Sequence, residues 1–260
     1  MKVVILAGGF GTRISEESVF KPKPMIEIGG MPILWHIMKC YSFYGYNEFI
    51  ICAGYKQHHI KEWFSDYFLH TSDITFDYTK GNNEIIIHNN HVEPWKVTVV
   101  DTGINTQTGG RVKKIRNYVG NEDFMLTYGD AVGDINIREL VEFHHKHNKI
   151  GTMSMYNFGQ NKGVVEVGKD GVIDSFREKS DVDGDLINIG FMVFKPELFD
   201  LIEGDSTIFE RGPLVKLVAK HELVGFIHKG YWQCMDTLRE KKQLEELWEL
   251  GKAPWKIWKK

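Results

Sequence analysis

Residues Gly8-Gly9-Phe10-Gly11-Thr12-Arg13, followed by Lys21-Pro22-Lys23-Pro24-Met25, set a glycine loop among cations. A site for several phosphates needs that arrangement. Glycines let backbone N–H groups approach an anion closely. Arg13 brings a planar fork of donors and Lys23 a compact charge. Two better-known glycine loops do not fit. The phosphate loop of nucleotide hydrolases requires Gly-Lys-Ser/Thr, where this chain has Gly11-Thr12-Arg13. The dinucleotide fingerprint requires a third glycine where Ile14 stands. For the glycines alone, a plain turn beside a surface arginine is the alternative, and Arg13 with Lys23 weighs against it. Asp130 is a further candidate, because it follows the apolar run Phe124–Tyr128 after the single residue Gly129. A carboxylate beyond the carboxyl end of such a strand, facing phosphates, suits Mg2+. From position alone it reads equally well as a turn cap.

The elements that must position these residues follow from hydrophobic spacing. Lys2-Val3-Val4-Ile5-Leu6-Ala7 is short, apolar and β-branched, as expected of a strand buried on both faces. Ile33, Ile37, Tyr41 and Tyr44 recur at helical spacing, and Gly45 ends the run. Phe49–Ala53 is a second buried strand, and His59–Phe68 a second amphipathic helix. Strand–helix–strand–helix order implies a parallel sheet with crossover helices. Ile74–Tyr78 and Ile85–Ile87 read as short strands with turns at Asn82-Asn83 and Asn89-Asn90, and Val97–Val100 returns to the sheet. Thr108-Gly109-Gly110-Arg111 opens a helix, and residues 137–147 form another. Strands are expected at 152–155, 164–167 and 173–176, with Lys169-Asp170-Gly171 as a hairpin turn. Residues 186–194 form one strand leading into a helix begun by Pro196. Helices are expected at 214–220 and 237–250, with extended chain at 223–227. The fold class is α/β: a Rossmann-like, doubly wound, mixed but mostly parallel sheet, helices on both faces, plus small β embellishments.

Length and composition bound the function. The 260 residues carry a formal net charge of −3, with 42% hydrophobic and 26% charged residues. That balance lacks the basic excess of a nucleic-acid binder. Three widely spaced cysteines, Cys40, Cys52 and Cys234, imply a reducing compartment and no structural zinc. The chain enters a core strand without a leader and has no apolar run of membrane-spanning length, so a cytoplasmic protein is expected. His144-His145-x-His147 reads as a solvated helix face rather than a metal site. The tryptophans read as packing residues. Residues 254–260, aromatic and basic, read as a tail docked on a neighbouring helix or subunit.

Leu6 to Arg13 with Lys21 to Met25 resembles the signature of the sugar-1-phosphate nucleotidyltransferases. Ser15-Glu16-Glu17, Glu27-Ile28-Gly29-Gly30 and Pro32 to Lys39 bring the resemblance nearest to those members that join CTP to glucose 1-phosphate. It extends to Gly251-Lys252-Ala253-Pro254-Trp255-Lys256, so it runs from end to end. It implies one nucleotidyltransferase domain over 1–260, of the nucleotide-diphospho-sugar transferase type. Residues 1–150 would be mainly the nucleotide half, 151–236 mainly the sugar half, and 237–260 a C-terminal helix and tail.

The resemblance also implies roles. Thr127-Tyr128-Gly129-Asp130 resembles the family's first metal-binding stretch, and Tyr231 to Thr237 its second. Asp130 and Asp236 are then the Mg2+ ligands; read without the family, Asp236 is a helix cap. The nucleotide falls to Leu6, Ala7, Gly8, Gly9, Phe10, Gly11, Thr12, Arg13, Lys23, Thr106, Arg111 and Gly129. Arg111 reads otherwise as the first charge of an exposed helix. Arg13 would take the β- and γ-phosphates, and Lys23 would bridge the α-phosphate and the sugar phosphate. Lys23, Glu178, Lys179, Asn188 and Gly190 would hold the sugar phosphate. Ser180 replaces the relatives' proline there, Asn161-Lys162-Gly163 lacks their aromatic, and Glu178-Lys179 could instead be a solvated pair. The implied reaction is CTP plus α-D-glucose 1-phosphate to CDP-glucose and pyrophosphate. It would serve deoxysugars of a bacterial surface polysaccharide, in a homo-oligomer with a hexamer as the expected form. The alternatives are dTTP or UTP, another hexose 1-phosphate, or a non-catalytic sugar-nucleotide sensor. A dehydrogenase is disfavoured by Ile14.

Overall fold

Val3 to Ala7 are buried, and their side chains alternate between two hydrophobic clusters. A strand with both faces apolar must be covered on both, and helices do that here. A computed structural model describes residues 1–79, 81, 83–89, 92–157, 164–167, 173–177 and 186–259. Its strands in chain order are β1 (Lys2–Ala7), β2 (Glu27–Ile28), β3 (Met31–Pro32), β4 (Glu48–Ala53), β5 (Asp73–Asp77), β6 (Glu84–His88), β7 (Lys96–Asp101) and β8 (Phe124–Tyr128). They continue as β9 (Ala131–Gly133), β10 (Gly151–Asn157), β11 (Val164–Val167), β12 (Ile173–Arg177), β13 (Leu186–Asn188), β14 (Met192–Phe194), β15 (Leu223–His228) and β16 (Trp232–Cys234). The helices are α1 (Ser15–Ser18), α2 (Ile33–Phe43), α3 (Gln57–Thr71), α4 (Thr108–Lys114), α5 (Arg116–Val119), α6 (Ile137–His147), α7 (Pro213–Ala219) and α8 (Leu238–Glu249).

The parallel centre of the sheet runs β8-β1-β4-β7. Beyond β8 the sheet turns mixed, because β14 pairs antiparallel with both β8 and β10, β13 pairs antiparallel with β10, and β15 runs parallel to β10. Val3, Ile5 and Ala7 point to the side covered by α2, α6 and α8. Val4 and Leu6 point to the side covered by α4, α5 and α7. Each fully buried aliphatic side chain of this kind contributes about 1.5–3 kcal/mol. The register aligns Ala7 with Ala53 and Ala53 with Asp101, so the parallel strands end together and their following loops gather at one edge.

Several expectations need correction. Residues 186–194 are two strands. Gly190 (φ 76°) and Phe191 (φ 48°) interrupt the run, and Phe191 O accepts the Ser154 hydroxyl. Pro196–Leu201 is a 3-10 turn. The cap of α8 is Thr237, in a reciprocal capping box with Glu240, so the cap reading of Asp236 fails. The helix carrying Arg111 is not exposed there, since Arg111 is buried. His145 and His147 are exposed, but His144 is buried and meets Thr152 Oγ1 at 2.8 Å. The tail docks on neighbouring helices, as expected: Trp255 and Trp258 pack around His36 and Trp35 of α2, and Trp248 of α8 joins them. No helix among the described residues is long and apolar enough to cross a membrane. The expected turn at 169–171, the 161–163 stretch, Glu178, Lys179, Ser180, Asn82 and Asn90 lie outside the described residues.

Candidate active site

The loop after β1 is built by local geometry. Gly11 adopts φ 66°, ψ 32°, a left-handed conformation that glycine takes without cost. A Cβ on it would lie 3.0 Å from Ser18 Cβ and 3.2 Å from Lys23 Cβ. The Ser18 hydroxyl donates to Gly11 O at 3.0 Å, which folds α1 back over the loop. Ile14, where a dinucleotide loop would need glycine, is fully buried and anchors the 3-10 turn Thr12–Ile14 in the core. A second short turn, Lys23–Met25, follows extended Pro22 and buries Met25 and Ile26. Those two anchors hold Lys23 at the cleft floor, with only 11% of its side chain exposed.

Asp130 and Asp236 are brought together by three-residue strands. Antiparallel β9 and β16 pair Ala131 with Cys234 and Gly133 with Trp232, and Met235 N donates to Asp130 O at 2.8 Å. Gly129 donates to Leu6 O at 2.9 Å, and a Cβ there would lie 2.8 Å from that same oxygen. Glycine is therefore required for the turn to lie against β1. The result is a four-charge cluster. Lys23 Nζ lies 2.5 Å from Asp130 Oδ2 and 2.5 Å from Asp236 Oδ1. Arg13, mostly exposed, reaches Asp236 Oδ2 at 2.6 Å. Burial works against the charge on Lys23, yet the Asp130 and Asp236 carboxylates outweigh it and hold its pKa above the ordinary lysine range. Two carboxylate oxygens thus converge on one cation. Hard oxygen donors of that kind fit a Mg2+ ion, at a position where a positive group already stands.

A cavity of about 580 Å³ opens above this cluster. Leu6, Ala7, Gly8 to Arg13, Lys23, Thr106, Arg111, Gly129, Asp130 and Asp236 all line it. Ile104, Asn105, Gln107 and Thr108, from the stretch between Thr102 and Arg111, line it as well, as does Tyr128. Asn188 and Gly190 stand behind Tyr128: Asn188 Nδ2 donates to the Tyr128 phenol at 3.2 Å, and Gly190 closes on the Tyr128 ring. Glu178 and Lys179 lie outside the described residues.

Arg111 is the clasp of the glycine loop. Its guanidinium donates to Gly8 O at 3.0 Å, Thr102 Oγ1 at 2.6 Å, Gly103 O at 2.7 Å, and Ala53 O and Ile104 O at 3.3 Å. Three loops that leave β1, β4 and β7 are tied by one side chain. Gly8 and Gly54 are glycines for this reason, since a Cβ on either would lie 2.2 Å and 2.4 Å from Arg111 Nη1, respectively. Burial lowers the Arg111 pKa, and a guanidinium stays protonated regardless. Gly109 and Gly110 have a matching role, because they admit the backbone of Asp205 and Thr207 against α4; Gly109 N and Gly110 N donate to Thr207 O at 2.9 and 3.2 Å. The paired glycines were the available signal for that close approach.

A glycine loop at the end of a central parallel strand, two cations and a carboxylate pair define a phosphate-handling α/β protein. The chain belongs to the nucleotidyl transferase family, whose model matches residues 2–237. Over 259 residues it is 51% identical to glucose-1-phosphate cytidylyltransferase of Salmonella typhimurium, covering 99% of this chain and 100% of that one. It is 40% identical, over 99% of this chain and all of the other, to the probable glucose-1-phosphate cytidylyltransferase of Bacillus subtilis. Among solved structures, UDP-glucose pyrophosphorylase complexed with UDP-glucose shares the fold at TM-score 0.70 and 17% identity, covering 96% of this chain and 98% of that one.

Proposed function

We propose that this protein transfers the cytidylyl group of CTP to α-D-glucose 1-phosphate, giving CDP-glucose and pyrophosphate. The observation that carries the reading is the meeting of Arg13, Lys23, Asp130 and Asp236 on the floor of one cavity beside the glycine loop. The 51% identity along the whole chain supports the particular substrates. An oxygen of the sugar phosphate attacks the α-phosphorus, the bond from that phosphorus to the β-bridging oxygen breaks, and pyrophosphate leaves. No enzyme nucleophile is needed, so positioning and charge neutralisation supply the catalysis. Arg13 is exposed enough to swing from Asp236 to the β- and γ-phosphates and the departing pyrophosphate. Lys23, at the cleft floor, screens the α-phosphate from the incoming sugar phosphate. Backbone N–H groups of Gly8 to Thr12 wrap the polyphosphate. Thr106 and Arg111 are assigned to the nucleotide, and Glu178, Lys179, Asn188 and Gly190 to the sugar phosphate.

Nucleotidyltransferases generally use a divalent metal, and here we assign Mg2+ to Asp130 and Asp236. When bound, it neutralises charge on phosphate oxygens and fixes their orientation. The chain acts as one domain, with 1–150 serving mainly the nucleotide, 151–236 mainly the sugar, and 237–260 the C-terminal support. We place it in the cytoplasm as a homo-oligomer, a hexamer in its full form. Supporting self-association, the β5–β6 hairpin carries Phe76, Tyr78, Ile85, Ile86 and Ile87 into solvent. The deciding experiment is pyrophosphate release by the purified chain with each of four nucleoside triphosphates against several hexose 1-phosphates, with and without Mg2+. CTP with glucose 1-phosphate is expected to give the highest kcat/KM, and only with the metal. A higher value for another pair overturns the substrate assignment.

A further inference from the structure

We infer that Glu210 is a positioning residue, one that sets the orientation of the sugar side of the cleft through Tyr128. The inference rests on the function proposed above. Glu210 lies in the segment before α7, far along the chain from the glycine loop, and is half-buried. Each of its carboxylate oxygens takes a hydroxyl hydrogen from a residue that lines the cavity. Tyr128 donates to Oε1 at 2.7 Å, and Thr108, the first residue of α4, donates to Oε2 at 2.9 Å.

A carboxylate accepts and does not donate, so it dictates the direction of every bond beyond it. The Tyr128 hydrogen is taken by Glu210, and the phenol oxygen therefore accepts. It accepts from Asn188 Nδ2 at 3.2 Å. That fixes which way round the Asn188 amide sits: its Oδ1 faces Gly190 N at 3.0 Å. Among the described residues this leaves Asn188 one N–H and one lone pair for a ligand, in an orientation inherited from Glu210. On the other side, Thr108 Oγ1, having given its hydrogen to Glu210, accepts from Phe209 N at 2.9 Å. This second bond closes the Glu210 segment onto α4 and holds the relay in place.

The backbone is shaped around this relay. Gly190, at φ 76°, could not carry a side chain without meeting Thr127 Oγ1 and Tyr128 Cδ2, both at 3.1 Å. Tyr128 is also the residue two before Asp130, on the strand end that delivers the carboxylate cluster. The Thr108 bond thus anchors the carboxylate to the start of α4, and the Tyr128 bond carries its orienting effect to Asn188 on the sugar side.

The test compares Glu210→Ala, Glu210→Gln and Tyr128→Phe by steady-state pyrophosphate release with CTP and glucose 1-phosphate. Glu210→Ala is expected to raise KM for glucose 1-phosphate about tenfold, while KM for CTP changes less than about twofold. Glu210→Gln keeps an amide oxygen for the Tyr128 hydrogen and is expected to recover most of that loss. Tyr128→Phe is expected to match Glu210→Ala, and the double variant to be no worse than either single one. Because Tyr128→Phe leaves Glu210 in place, it tests the relay even if Glu210→Ala fails to fold. Equal rises in both KM values, an unchanged sugar KM, or additive losses in the double variant overturn the proposal. Absence of turnover by the unmodified chain would instead remove the parent reading, and the proposal with it.

Discussion

The ammonium of Lys23 lies 2.5 Å from Asp130 Oδ2 across 107 residues of chain, and the same nitrogen is 2.5 Å from Asp236 Oδ1. Two carboxylates that face each other on adjacent strand ends are bridged by one buried cation. Removing it leaves their repulsion opposed only by the exposed Arg13 on Asp236. Loss of one partner from a fully buried pair costs about 3–5 kcal/mol, and the partial water access of both aspartates scales this down to about 2 kcal/mol. Lys23→Met should lose that amount in urea unfolding. Millimolar Mg2+ should raise the melting temperature of Lys23→Met by more than that of the unmodified protein, because the divalent ion can take the vacated place. A variant as stable as the parent, or one indifferent to Mg2+, would contradict the arrangement.

Arg13 makes a different prediction, since its side chain is mostly in water and its ion pair contributes little to folding. Arg13→Ala should keep the circular dichroism spectrum and melting temperature of the parent. Its turnover should fall about 10²- to 10³-fold, the scale of losing a positioned charge at a developing anion. Asp130→Asn should lose turnover on a similar scale with the fold intact. Near-normal kcat in either purified variant would detach the cluster from the chemistry.

The parts of this site that rest on local pattern were legible in the chain, and the parts that rest on distant pairing were not. The strand Lys2–Ala7, the glycine loop and the strand-end Asp130 each follow from a short window of residues. Asp236 beside Lys23 does not, because β9 and β16 are three residues each and carry almost no periodic signal of their own. The helix cap could have been read correctly. Glu240, three residues after Thr237, is the capping-box partner, and it marks Thr237 rather than Asp236 as the cap. His144 was also readable, since it continues the buried spacing of Ile137, Leu140 and Val141 on α6. The break at Gly190-Phe191 was hidden within a run that is apolar apart from Asn188 and Gly190, and only Gly190 hinted at it. Glu210 had no local signal at all.

Arg111 should be intolerant of lysine. One guanidinium satisfies acceptors on Gly8, Ala53, Thr102, Gly103 and Ile104, and an ammonium has three donors in another geometry. Leaving buried acceptors unpaired costs about 1–3 kcal/mol each, so Arg111→Lys should destabilise the protein by about 2 kcal/mol or more. It should also weaken nucleotide binding, because the released Gly8 carbonyl belongs to the glycine loop. Titration calorimetry with CTP and urea unfolding of the same variant check both effects; an unchanged free energy of unfolding would show that the clasp is dispensable.

His36 predicts a pH dependence with a definite sign. Its ring is fully buried among Trp35, Trp248, Trp255 and Trp258, and its Nε2 is 2.8 Å from Ile28 O. Burial, with a smaller push from the charge of Lys256, lowers its pKa to about 4, against hydrogen bonds to Ile28 and Met31 that act the other way. In the unfolded chain the same imidazole titrates near about 6.5. Above that value both states are neutral and the full stability is present. As pH falls through the interval, the unfolded state takes up a proton that the folded state refuses, so stability declines until the folded ring titrates near about 4. The loss over the whole interval is about 3 kcal/mol. His144, lowered to about 4 mainly by burial, acts in the same direction over the same interval. Urea unfolding between about pH 7 and 4.5 should therefore give a slope that is shallower in His36→Gln than in the parent. A parallel slope in the two proteins would mean that the tryptophan cage admits the charged ring.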